Sequence, residues 1–114
     1  MKLNPRLRLL SLACLALAPG ACGPTIGDAC TADADCGPGV CVKKDYTPGG
    51  MCSLACEVGG ALCPAGTICV KDAIAGNQPG CMKSCTRQAD CRDAYVCNNA
   101  KDSATPVCVG PAGI

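Results

Sequence analysis

The chain has 114 residues, of which 14 are Cys and none is His, Trp or Phe; aromatics make up only 2% although hydrophobic residues reach 49%. A cysteine fraction of roughly 12% marks a disulfide scaffold in a short secreted chain rather than an ordinary oil-drop domain. The formal net charge of +1 gives no basic footprint for nucleic acid, and the lack of His removes the commonest general base.

At the N-terminus, Lys2, Arg6 and Arg8 form a positive region ahead of an apolar run from Leu9 to Ala18. That run has the length of a signal-peptide core and is too short to span a bilayer. Pro19 and Gly20 end it, and residues 1–21 are read as a signal peptide. No later stretch is long and apolar enough for a membrane helix, so the remainder is expected to be soluble. Removing the leader takes three basic residues with it. The mature chain then carries seven basic against nine acidic residues, about −2.

Gly20-Ala21-Cys22 resembles the end of a bacterial lipoprotein signal peptide. The resemblance implies that Cys22 becomes the first mature residue and carries the lipid, with residues 22–29 as anchor and linker. Pro19 stands where such signals usually have an aliphatic residue. The competing reading is ordinary cleavage after Ala18, which Pro19 just beyond the cut disfavours. Cysteine parity bears on the choice. Without Cys14 there are 13 cysteines, and setting Cys22 aside as the lipid site leaves an even 12. An unpaired or intermolecular Cys22 is the alternative.

Those twelve cysteines form three groups of four: Cys30, Cys36, Cys41 and Cys52; Cys56, Cys63, Cys69 and Cys81; Cys85, Cys91, Cys97 and Cys108. Five or six, four or five, and ten or eleven residues separate the members of each group, and three separate one group from the next. Repeats are therefore assigned at 30–52, 56–81 and 85–108, with 109–114 as a C-terminal tail. Cys30 to Cys36 and Cys85 to Cys91 both read C-T-x-x-A-D-C. The second repeat departs there, with Glu57-Val58-Gly59-Gly60-Ala61-Leu62 lacking the Asp and holding one extra residue.

Residues 23–114 hold only 17 Val, Ile, Leu, Met and Tyr side chains. So sparse a core needs staples. Within each repeat, Gly37-Pro38-Gly39 and Pro64-Ala65-Gly66 read as turns. Val40-Cys41-Val42 and Ile68-Cys69-Val70 read as short strands, pairing with Met51-Cys52 and with Gly80-Cys81-Met82. In the third repeat, Val107-Cys108-Val109 takes the same part. Asp72-Ala73-Ile74 is the one candidate for a helical turn. The expected fold is small and disulfide-rich: three tandem β-hairpin repeats with two disulfides each and little regular secondary structure. An elongated rod is expected, each repeat touching its neighbours.

Spacing alone leaves three pairings open within a repeat, and bridges crossing between repeats. Similarity to interlocked modules of the epidermal-growth-factor type implies first-to-third and second-to-fourth bridges.

Little chemistry is legible. Ser53, Ser84 and Ser103 have no His to activate them, and the chain is read as no enzyme, without cofactor. The C-x3-C spacings at Cys52/Cys56 and Cys81/Cys85 fall in the zinc range. An oxidised sulfur is no thiolate ligand, so a metal site is not expected, and thiol-based metal binding is the least favoured role. Asp28, Asp33 and Asp35 lack the pattern of a calcium loop and read as solvated loop acids or local turn caps. Asp35 and Asp90, each just before a second Cys, read as Asx-type turns. Tyr95 is expected to pack on a disulfide. Tyr46, beside Lys43 and Lys44 in a long loop, is the candidate exposed binding residue.

The C-T-x-x-x-D-C…C…C arrangement, carried by Thr31, Asp35, Thr86 and Asp90, resembles Dickkopf-type amino-terminal Cys-rich regions. It also resembles short repeats in lipoproteins of delta-proteobacteria such as myxobacteria. That resemblance implies an extracellular, disulfide-bonded interaction or structural module. The expectation is a secreted or lipid-anchored binding module of the cell envelope, held to the membrane through Cys22. Its partner would be an unknown protein or glycan at the cell surface. A small protease inhibitor presenting residues 42–51 is the alternative.

Overall fold

The computed structural model describes residues 24–60, 62–76, 78–100 and 104–114. The segment read as a signal peptide, residues 1–21, and the expected lipid site, Cys22, lie outside the described residues.

Among the described residues, six strands form three antiparallel two-stranded sheets: β1 (Val40–Val42) with β2 (Met51–Ser53), β3 (Thr67–Ala75) with β4 (Gln78–Lys83), and β5 (Val96–Asn99) with β6 (Pro106–Val109). The register sets Cys41 opposite Cys52, Cys69 opposite Cys81 and Cys97 opposite Cys108. Directly opposed residues of an antiparallel pair share one face of the sheet. The third and fourth cysteines of each repeat therefore stand side by side, yet they do not bond each other. The bridges are Cys30–Cys41 and Cys36–Cys52, Cys56–Cys69 and Cys63–Cys81, Cys85–Cys97 and Cys91–Cys108. None crosses between repeats. The first-to-third, second-to-fourth scheme holds throughout.

One face of each hairpin is thus covered by cystine sulfur. Because side chains alternate along a strand, the flanking pairs lie on the other face. These are Val42 with Met51, Ile68 with Met82 and Val96 with Val109. Met51, Met82 and Val109 from these pairs join Val70 and Val107 in a shared core closed by Tyr95. A second, smaller cluster is almost pure cystine: Cys30, Cys36, Cys52 and Cys41. Sulfur takes the place of the missing Leu and Phe.

The repeats are joined by backbone. Each incoming segment pairs with the last strand of its own repeat: Asp28 O accepts from Cys52 N, Leu54 O from Cys81 N, and Pro106 O from Cys85 N. The buried Ser53 hydroxyl donates to Cys81 O at 2.8 Å, tying repeat one to repeat two. A side chain at Gly80 would stand 2.6 Å from Ile74 and 2.7 Å from that hydroxyl. Only glycine permits the approach.

The repeats contact mainly their neighbours, and repeat three also closes on repeat one. The Tyr95 hydroxyl of repeat three donates to Pro48 O of repeat one at 2.9 Å, and Gly110 N donates to Tyr46 O at 2.7 Å. So few apolar residues make a stable core only when all three hairpins pool them. Asp72-Ala73-Ile74 is not a helical turn but part of β3, with a register shift between Val70 and Ala75 and φ of 61° at Asp72. The Tyr46 hydroxyl engages Asp72 O and Ala73 O, the carbonyls a helical turn would use itself. The C-terminal residues 109–114 stay packed on the fold. Val109 is buried in β6 and Ile114 packs on the core.

Candidate functional site

The acidic residues singled out in the sequence act as turn caps. Asp35 Oδ2 accepts from Thr31 N, Thr31 Oγ1 and Ala32 N at 2.9–3.1 Å. Asp90 Oδ2 repeats this with Thr86 N, Thr86 Oγ1 and Arg87 N at 2.9–3.2 Å. Asp33 Oδ1 accepts from Cys41 N, and Asp28 from Thr25 N and Oγ1. The repeated Thr and Asp of C-T-x-x-A-D-C therefore close one 3-10 turn twice, at Asp33–Cys36 and Gln88–Asp90.

Donated hydrogen bonds, the Thr backbone N–H first, hold the Asp35 and Asp90 carboxyls below their ordinary pKa. A carboxyl lowered on folding contributes stability that is present above its unfolded pKa, about 3.9. The contribution is lost as pH falls through the folded value. The double replacement Asp35→Asn/Asp90→Asn is expected to flatten the acid limb of the stability curve below about pH 4. Denaturant midpoints measured from pH 2 to 7 check this; an unchanged acid limb would contradict it.

Of the two aromatic residues, Tyr95 packs against cystine as expected, and Tyr46 departs from its expected role. Tyr46 is half-buried, not an exposed contact. Desolvation, then the Asp72 carboxylate, raises its phenol above the ordinary value, keeping it a neutral donor. Tyr95 packs in the core with the Cys85 and Cys108 sulfurs, 3% exposed, under the Arg92 guanidinium at 4.4 Å. Lys43 and Lys44 remain exposed, and Lys43 Nζ donates to Thr31 O at 2.8 Å. Loop 42–51 is pinned down. Thr47 Oγ1 donates to Val42 O and accepts from Lys44 N, while Pro48 O and Gly50 O accept from Arg92 Nη2.

Nine of the twelve sulfurs lie in three groups of three, such as Cys30, Cys36 and Cys52, each group within 4.8 Å. Each is spent in a disulfide, and none is a thiolate.

The feature that sequence reasoning missed is a groove of about 550 Å³ where the linker at 24–28 meets all three repeats. Its apolar wall is formed by Pro24, Ile26, Pro38, Leu54 and Pro64. Backbone ties hold these segments in place. Gly27 N donates to Cys52 O at 2.9 Å, Thr67 N to Pro64 O at 3.1 Å and Ser84 N to Gly66 O at 3.0 Å. Two cations, Lys83 and Arg92, complete the lining, with Asp28 as the single acid. Asp28 is already capping the linker through Thr25. Among the described residues, neither cation is paired with a carboxylate; the ion pair found is the exposed Arg87–Asp90 contact at 3.9 Å. The signal in the sequence was faint: Pro38 and Pro64 stand in equivalent turns between second and third cysteines, and Pro24 lies just beyond Cys22.

Comparison with family models, with curated proteins and with solved structures finds no match for this chain. Six disulfides in so short a chain are typical of extracytoplasmic proteins.

Proposed function

We propose that this chain is a non-catalytic binding module of the cell envelope, tethered to the membrane through a lipid on Cys22. The groove carries the reading: segments from all three repeats converge to build one concave, mainly apolar surface bearing few polar groups. Such a surface is the usual form of a small-molecule site. The disulfides supply the rigidity that so small a core cannot. Cysteine use supports the tether, since the bridges consume every cysteine from Cys30 to Cys108 and leave Cys22 without a partner among them. The protease-inhibitor reading has less support, because the carbonyls of loop 42–51 are already held inside the fold.

Expression of the full chain in a bacterial host, followed by intact mass spectrometry, tests the tether. The expected mature N-terminus is a lipid-modified Cys22, and Cys22→Ser is expected to move the protein from the membrane to the soluble fraction. An unmodified N-terminus at Pro19 would overturn the tether. Stoichiometric inhibition of any member of a protease panel would overturn the binding-module reading.

A further inference from the structure

We infer that the groove between the repeats binds a small aliphatic carboxylate, with its apolar body on the proline-rich wall and its charge beside Arg92 and Lys83. The inference rests on the binding-module reading above and names its ligand.

Size and chemistry both enter. About 550 Å³ lies within the roughly 300–1,000 Å³ of small-molecule pockets. Pro24, Ile26, Pro38, Leu54 and Pro64 present no hydrogen-bonding side chain, so that wall takes a hydrocarbon body. The polar end is specified by charge. Arg92 Nη2 donates to the carbonyls of Pro48 and Gly50 and to the Tyr95 hydroxyl, and Nε is buried without an acceptor. Every one of these partners is neutral. Lys83 Nζ likewise donates to a carbonyl, Asp90 O at 2.8 Å.

Two cations therefore line an apolar groove with no carboxylate set against them. Asp28, the one acid, points its oxygens at Thr25 N and Oγ1. A partly desolvated guanidinium without a counter-charge is unfavourable, and an anion entering the groove relieves it. A carboxylate matches the donors through charge-assisted hydrogen bonds. A cationic amphiphile of the same length would meet repulsion, and an alcohol would gain only the apolar contact.

The test is an NMR amide titration of the soluble, disulfide-bonded Cys22→Ser protein with dodecanoate, dodecanol and dodecyltrimethylammonium, each below its micelle concentration. The expected result is saturable shifts at Ile26, Leu54 and Thr67, with dodecanoate bound about tenfold more tightly than dodecanol. Arg92 also holds the repeats together, so the variants are placed elsewhere. Lys83 is exposed, and Lys83→Glu is expected to abolish the preference for the carboxylate. Pro38→Glu, at the exposed rim, is expected to weaken dodecanoate and leave the cationic amphiphile unaffected or improved.

Equal binding of dodecanoate and dodecanol, unaltered in both variants, would overturn the carboxylate inference and leave the groove as an apolar site. Saturable shifts confined to another surface, or none with any of the three compounds, would overturn the groove reading together with it.

Discussion

Replacing Tyr95 with alanine is expected to destabilise the protein by about 3–5 kcal/mol. Its ring sits in the shared core at 3% exposure, under the Arg92 guanidinium. Its hydroxyl accepts from Arg92 Nη2 at 2.7 Å and donates to Pro48 O at 2.9 Å. One side chain thus fills the core, orients a cation and ties the third repeat to the first. Tyr95→Phe keeps the ring and leaves the Pro48 carbonyl without that donor, for an expected loss of about 1–2 kcal/mol. Native stabilities of about 5–15 kcal/mol make the alanine change a large fraction of the total. Denaturant titration separates the two variants, with the midpoint moving and the slope preserved. A shift below about 1 kcal/mol for Tyr95→Ala would mean that the disulfides, not the closure of repeat three on repeat one, hold the fold.

The paired replacement Cys36→Ala/Cys52→Ala is expected to cost about 2–5 kcal/mol. Both residues are buried, at 5% and 2% exposure, and they form half of the sulfur cluster of repeat one. Cys56→Ala/Cys69→Ala is the control, because Cys69 of that bridge is only partly buried. The two bridges span 16 and 13 residues. Loop entropy distinguishes closures of those lengths by only about 0.2 kcal/mol. A clearly larger loss for the Cys36–Cys52 pair would show that cystine acts as core as well as staple. Equal losses would assign the stabilisation to chain entropy alone.

Much of the architecture was legible because cysteine spacing is a local, countable signal. The hairpins fell where β-branched residues flank the third cysteine, at Val40, Ile68 and Val96, and the Thr and Asp of repeats one and three cap the turns assigned to them. Tyr46 misled because a lone aromatic in a polar loop looks exposed. Its burial depends on Asp72 and Ala73, 26 and 27 residues away. Asp72-Ala73-Ile74 misled for the same reason: a distant hydroxyl takes the carbonyls that a local turn would use.

By itself, the sequence determined the grouping of the cysteines in fours, the paired strands and the oxidised chemistry. Each of these follows from residues within one cysteine interval of each other. Tertiary structure alone decided which pairing the sulfurs adopt, how repeat three closes on repeat one, and that Pro24, Pro38 and Pro64 converge on one groove. Those outcomes depend on the scarcity of large side chains. No single hairpin can bury its own apolar face, so the three must share one core, and the groove forms where their turns and the linker meet.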